Sequence, residues 1–200
     1  MFYDAIENQH GLPHDPLKAI VAPRPIGWIS TVDRQGRPNL APYSFFSLVS
    51  EGPAIVAFSS VGWKDTAANL EATGECVCNL ATFDLMNAVN ETSAPLPPGE
   101  SEFARAGLTP VPSTLVAPPR VGESPAALEC KLLRIQPLTD LSGRKLGRYL
   151  ALAQVIGIHI DDAALVDGHF DLTKVKPLSR LGYMDFGVTD QVFPLKRPKV

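Results

Sequence analysis

Four side chains near the middle of the chain have the types and spacing to hold an anion. Ser59 and Ser60 end a strand-like run, and Lys64 and Thr66 stand where a helix is expected to begin. A phosphate dianion needs hydrogen-bond donors and positive charge. A helix N-terminus offers unpaired N–H groups and a partial positive charge. Lys64 adds a full charge, and Thr66 and Ser60 add hydroxyl donors. The same residues also read as an ordinary helix start, with Asp65 as N-cap, Lys64 solvated and Ser59-Ser60 in a loop. Caps are common and phosphate sites rare, so these residues alone leave both readings open.

The elements that must position them are strand-like. Gly27–Asp33 and Asn39–Ser50 flank the turn Arg34-Gln35-Gly36-Arg37, and Pro53–Ser60 follows the break at Glu51-Gly52. Val, Ile, Phe, Tyr and Thr enrich these runs while Gly and Pro punctuate them, the pattern of strands joined by tight turns. A short helix is predicted over Asp65–Thr73, ended by Gly74, then a strand over Glu75–Ala81. Thr82–Glu91 reads as a helix capped by Thr82, with Leu85, Met86 and Val89 on one face and Met86 in the core.

The second half alternates loops with longer strands. Ser93–Gly99 and Leu108–Pro119 are proline-rich and irregular, with one or two helical turns at Glu100–Ala106 and a stop at Gly107. A loop region this long inside a compact domain is expected to be functional or to cover an interface. Ala126–Leu138 and Arg148–Ile160 read as a long strand pair, joined through the Ser142-Gly143 turn. His159 in the second strand is read as a satisfied structural histidine. His169–Lys176 is expected to be a short extended piece, and Arg24, alone between two prolines, a surface or interface residue.

Composition excludes several classes. The chain has 200 residues and a formal charge of −3, without a basic stripe, so nucleic acid is not an expected partner. The N-terminus lacks a basic region followed by an apolar run, and no apolar stretch is long enough to span a bilayer, so a cytoplasmic, soluble protein is expected. Cys76 and Cys78 alternate within one strand, so both thiols share a face. No paired Cys or His cluster completes a metal set in the sequence, and Cys76, Cys78 and Cys130 are read as buried, reduced thiols with no metal.

Four motifs in order, RPIGWIST, APYSFFSLVSEGPAIVAFS, KDTAAN and PLSRLGYMDF, resemble the flavin reductase-like family of FMN-binding split barrels, and the first and last resemble its flavoredoxin-type branch. The resemblance covers about Ala19 to Phe186. It implies a mainly β fold, an antiparallel six-stranded split barrel of Greek-key type with short peripheral helices. It divides the chain into an N-terminal arm (1–18), the barrel domain (19–186) and a C-terminal tail (187–200). By the same resemblance Ala41, Pro42, Tyr43, Ser44, Phe45 and Phe46 line the isoalloxazine and ribityl chain of FMN. Ser59 and Ser60 reach the ribityl or phosphate, Lys64 and Thr66 hold the phosphate, and Asn69 closes the same motif. Where many relatives carry Ser-x-Thr, this chain has Lys64-Asp65-Thr66, an ammonium in place of a hydroxyl. Arg180 suits a flavin carbonyl edge or a phosphate, with a surface salt bridge as the alternative. Relatives often carry a second glycine at the position of Tyr183.

The function this implies is an FMN-dependent oxidoreductase taking hydride from NADH or NADPH. The cofactor does the chemistry, so no protein acid, base or nucleophile is assigned. No GxGxxG strand–helix unit is present in the sequence, so a nicotinamide would dock against the flavin without a Rossmann domain. Two alternatives stand beside it: a flavoredoxin-like FMN electron carrier without direct nicotinamide activity, and a non-flavin binding module on the same barrel. A homodimer is expected, with a monooxygenase or another electron acceptor as a further partner.

Overall fold

The structure is a computed structural model that describes residues 1–97 and 100–198. The end of the expected 93–99 loop and the last two positions of the tail lie outside the described residues. Seven strands form one antiparallel sheet: β1 (Gly27–Val32), β2 (Pro38–Tyr43), β3 (Phe46–Glu51), β4 (Ala54–Val61), β5 (Glu75–Leu80), β6 (Ala126–Thr139) and β7 (Lys145–Ile160). Their order in the sheet is β2-β1-β5-β6-β7-β4-β3. The expected run Asn39–Ser50 is two strands, which raises the count from six to seven.

That break explains the closure. β2 and β3 are the two edges of the sheet, yet only Ser44 and Phe45 separate them in sequence. Three Cα–Cα steps span at most roughly 11 Å, so the edges must lie together and the sheet must roll up. Contacts across the seam agree. The Tyr43 and Phe58 rings are 5.2 Å apart. A Cβ on Gly27 would fall 2.4 Å from the Phe46 ring, so glycine lets β3 come close to β1 across the seam.

The inside of the barrel is apolar: Ile29, Val56, Phe58, Leu70, Cys76, Cys78, Cys130, Ala151 and Ala153 form one cluster. A second cluster covers the outer face of β1 and β2. Trp28 and Leu40 pack there with Phe103, Val121 and Leu178, under α2 (Met86–Glu91) and the segment from α3 (Glu102–Arg105) to residue 121. β1 is therefore buried along its whole length, with Trp28 facing one cluster and Ile29 the other.

The first of the three labelled helices, α1 (Asp65–Thr73), ends at Gly74, which donates its N–H to the Leu70 carbonyl and whose left-handed φ of +73° turns the chain out of the helix. The α2 segment is shorter than the expected Thr82–Glu91 helix. Thr82 is buried and bridges Pro177 instead of capping, and the chain turns tightly before the helix starts. Residues 169–176 are not a single extended piece: after His169–Phe170, Leu172–Val175 is helical because the Asp171 carboxylate caps the N–H groups of Thr173 and Lys174. A small antiparallel sheet joins Arg24–Pro25, Leu178–Arg180 and Phe186–Val188 beside the barrel.

Candidate functional site

The site residues expected from the sequence gather at the β2–β3 crossover, the end of β4 and the start of α1. Ser59 donates its N–H to the Phe45 carbonyl at 2.9 Å. The Tyr43 phenol lies against the hydroxyls of Thr66 and Ser60. Burial pushes the Tyr43 phenol above its ordinary range, and those two hydroxyls act against the shift. Ala41 and Pro42 pair with Ile29 and Trp28 and are half-buried, as is Ser44. Phe45 is exposed beside them.

Thr66 and Asn69 are buried and belong to a polar network that the sequence reading did not foresee. Asn39 donates to the Thr66 hydroxyl at 2.9 Å and to Thr31 at 3.3 Å, and Asn69 donates to Thr31 at 3.1 Å. These bonds tie α1 to β1 and β2. Ser60 donates to the Gly62 carbonyl at 3.1 Å, shaping the turn into the helix. Thr31 and Asn39 stand opposite each other in the β1–β2 register, a pairing that only the strand alignment brings out.

The start of α1 is open. Lys64, not Asp65, occupies the N-cap position, in an extended conformation, and no side chain caps the helix. The first-turn N–H groups therefore remain available, with the exposed ammonium of Lys64 next to them and no ion pair to it among the described residues. Glu102, whose carboxylate accepts from the Leu40 N–H at 3.3 Å, lies on the same side. Burial raises its pKa, and the Asp65 charge adds to the shift.

Arg180 sits apart from this group, on the small sheet, where its guanidinium donates to the carbonyls of Tyr183 and Met184 at 2.8 and 3.0 Å and stacks on Phe186 at 4.4 Å. It pairs in register with Arg24. Of the expected surface or interface placement, the surface half does not hold for Arg24: it is 7% exposed. It donates to the carbonyls of Lys18, Val21 and Leu181, and its guanidinium lies 5.9 Å from the centre of the Phe45 ring. Arg24 thus links the small sheet to the crossover. Tyr183, where relatives often have glycine, adopts a left-handed φ of +53°.

The proline-rich insert is held to the barrel by carboxylates. Glu129 on β6 is fully buried and accepts from the N–H groups of Thr114 at 2.7 Å and Leu115 at 2.5 Å, and pairs with His159. Burial would raise its pKa, but the donors from Thr114, His159 and Leu115 hold it below the ordinary glutamate value. Glu75 accepts from Ala117 and Glu123 from Thr109. His159 faces this latch.

Two cavities lie near the small sheet. One, of about 210 Å³, is walled by Ile26, Phe46, Cys78, Leu128, Phe170 and Leu178. The other, of about 510 Å³, is bounded by Phe83, Met86, Asn87, Asn90, Phe186 and Val188. Met86 is accordingly 41% exposed on a cavity wall rather than in the core, while Val89 on the same short helix is buried. Met86 is the first residue of α2 and looks onto that cavity beside Phe186 and Val188.

Comparison with known proteins gives the geometry its context. An uncharacterised protein of Halalkalibacterium halodurans is 36% identical over 190 residues, covering 92% of this chain and 90% of that one. The crystal structure of nitrilotriacetate monooxygenase component B from Bacillus cereus superposes with a TM-score of 0.87 at 30% identity, over 98% of each chain. The flavoredoxin of Desulfovibrio vulgaris shares the fold, with a TM-score of 0.76 at 23% identity over 86% of this chain and 90% of its own. The flavin reductase like domain matches residues 21–174, which takes in every strand of the barrel and the whole β4–α1 turn. With that match spanning most of the sequence, the rolled antiparallel sheet is a split barrel and the chain belongs to the flavin reductase-like family.

Proposed function

We propose that this protein is an FMN-binding oxidoreductase that takes hydride from NADH or NADPH. The observation that carries the reading is the uncapped N-terminus of α1 with Lys64 beside it. Three first-turn N–H groups and one ammonium make a donor set suited to a phosphate dianion. The residues present therefore fit FMN. Lys64 and the α1 amides would hold its phosphate, Ser59 and Ser60 stand at the strand end next to them, and Phe45 with the 41–46 backbone offers a surface for the ring. Thr66 acts from beneath, holding α1 to the barrel through Asn39. Arg180 orders the 181–186 turn and is the register partner of Arg24, which itself lies against Phe45. Bound flavin supplies the redox chemistry, accepting two electrons with hydride and passing them on.

The relative named as a monooxygenase component supports a reductase that serves a separate oxygenase. Exposed Leu48 and Val49 on β3 and Leu133, Leu146 and Ile158 on the long β6–β7 pair favour a homodimer, which sedimentation at micromolar concentration tests.

An absorbance spectrum of the purified protein, before and after adding NADH and then NADPH without oxygen, tests the function. Flavin bands that bleach with either nicotinamide are the expected result. Bound flavin that neither donor bleaches would instead make the protein an electron carrier of the flavoredoxin kind. A colourless protein that gains no flavin on titration would overturn both.

A further inference from the structure

Three cysteine sulfurs meet inside the barrel. Cys76 and Cys78 lie two apart on β5 and face inward together, and Cys130 on β6 is the cross-strand partner of Cys76. All three sulfur atoms lie within 4.8 Å of one another, with Cys78 Sγ and Cys130 Sγ 4.0 Å apart. They are buried free thiols, surrounded by Ile29, Val56, Leu70 and Ala153. No histidine or carboxylate joins the cluster among the described residues. From the sequence, Cys76 and Cys78 formed a pair without a third ligand; the β5–β6 register supplies it.

We propose that this triad binds one soft monovalent metal ion, Cu(I), in a three-coordinate, all-sulfur site. Ligand type is the first argument: thiolate and thiol sulfur select soft ions and are poor ligands for magnesium or calcium. Coordination number is the second. Zinc structural sites take four ligands, and the barrel offers three. Geometry is the third. With a metal–sulfur distance of about 2.3 Å, an ion centred in a sulfur triangle spaces the sulfurs by roughly 4.0 Å. The Cys78–Cys130 separation already has that value, and the others need only a small contraction. Because β5 and β6 are paired neighbours, the ligands are held by rigid backbone.

Charge is the fourth argument. The surrounding wall is apolar, so a net charge there is costly. One thiolate and two thiols around a monovalent cation sum to zero, and binding releases one proton to solvent. A divalent ion would leave excess positive charge or force further deprotonation. Cys78 also forms part of the wall of the 210 Å³ cavity, which gives an ion a way in.

The test is an anaerobic titration of the intact, purified protein with Cu(I) held by a chromogenic chelator such as bicinchoninate. Flavin content is kept constant, and native near-ultraviolet circular dichroism serves as the check on folding. One Cu(I) per chain should leave the chelator. Cys130→Ala should weaken uptake by more than the roughly 100-fold that loss of a second-shell partner can cost. Cys78→Ala, at the cavity wall, is the second variant if Cys130→Ala does not fold, and it should lose affinity similarly. Equimolar Zn(II) should not displace the copper. The proposal is overturned if the folded chain takes up no Cu(I), if both variants keep parental affinity, or if zinc competes on equal terms.

Discussion

Glu129→Gln isolates the latch that holds the insert. In the parent, one fully buried carboxylate accepts from two consecutive backbone N–H groups, Thr114 and Leu115, and pairs with His159. Gln keeps the shape but carries one acceptor oxygen, and it turns an NH2 toward groups that are themselves donors. At least one charge-assisted bond is lost outright, worth roughly 1.5–3 kcal/mol, and the rest lose their charge assistance. A destabilisation of about 3 kcal/mol is therefore expected. For a chain of this size it corresponds to a fall in Tm of roughly 6–12 °C. The effect should also be local: the Thr114 and Leu115 amides should be protected from hydrogen exchange in the parent and lose that protection in the variant. The pH dependence has a definite sign. The folded-state pKa of Glu129 lies below its ordinary value. Its stabilisation is thus fully present above the ordinary glutamate range and is lost as pH falls through the folded value. Acidification across that window should cost the parent stability that Glu129→Gln no longer has to lose. An unchanged Tm together with unchanged protection at Thr114 and Leu115 would refute the latch.

Three further outcomes are expected. Lys64→Ala should weaken FMN by about ten- to a hundredfold while leaving riboflavin, which has no phosphate, nearly unaffected; equal losses for both ligands in a fluorescence titration would point to a general defect instead. Gly27→Ala pushes a Cβ into the Phe46 ring and should cost roughly 1–3 kcal/mol in denaturant unfolding. Adding Phe46→Ala should recover part of that loss, and strict additivity of the two changes would argue against contact at the seam. Arg24→Lys keeps the charge but cannot reach the Lys18, Val21 and Leu181 carbonyls together. It should lower Tm clearly, and a parental melting curve would show that those bonds contribute little.

Much of the barrel was legible because several of its strands are short, rich in β-branched residues and separated by turn residues. Gly27–Asp33, Pro53–Ser60 and Glu75–Ala81 each differ by only a residue or so at an end from β1, β4 and β5. The β2–β3 break was not legible. Ser44-Phe45 carries no glycine or proline, and the strands on either side meet only through the rolled sheet. Helix α2 was read too long because an apolar face at helical spacing says nothing about Thr82 being claimed by Pro177 across the fold. Residues 172–175 show the opposite error, in which a strong Asp171 cap was overlooked within a polar stretch. At the candidate site, the crossover, the end of β4 and Lys64 were legible as one neighbourhood. The support beneath it was not: Thr31–Asn39–Thr66–Asn69 comes from three elements, and hydrogen bonds between elements leave no periodic trace in a chain. Arg24 was misjudged for a related reason, since its partners are backbone carbonyls and no acidic residue marks them in the sequence.

The Arg24 arrangement has a bearing on how the chain tolerates being cut. Gly182 has no room for a Cβ, which would lie 2.4 Å from that of Ala19, so the turn at Leu17–Ile20 rests directly on the C-terminal segment. Arg24 then joins positions 18, 21 and 181 through main-chain oxygens, which almost any residue at those positions can offer. Side chains at 17, 18, 20 and 21 are consequently free to drift, but Ala19 against Gly182 and the path of the backbone there are not. A protease that clipped the chain just after Ile20 would remove the Lys18 carbonyl and the surface against Gly182 and loosen a buried guanidinium beside Phe45. Trimming of the N-terminal arm through Ile20 would thus be felt at the β2–β3 crossover, some twenty residues further along the chain.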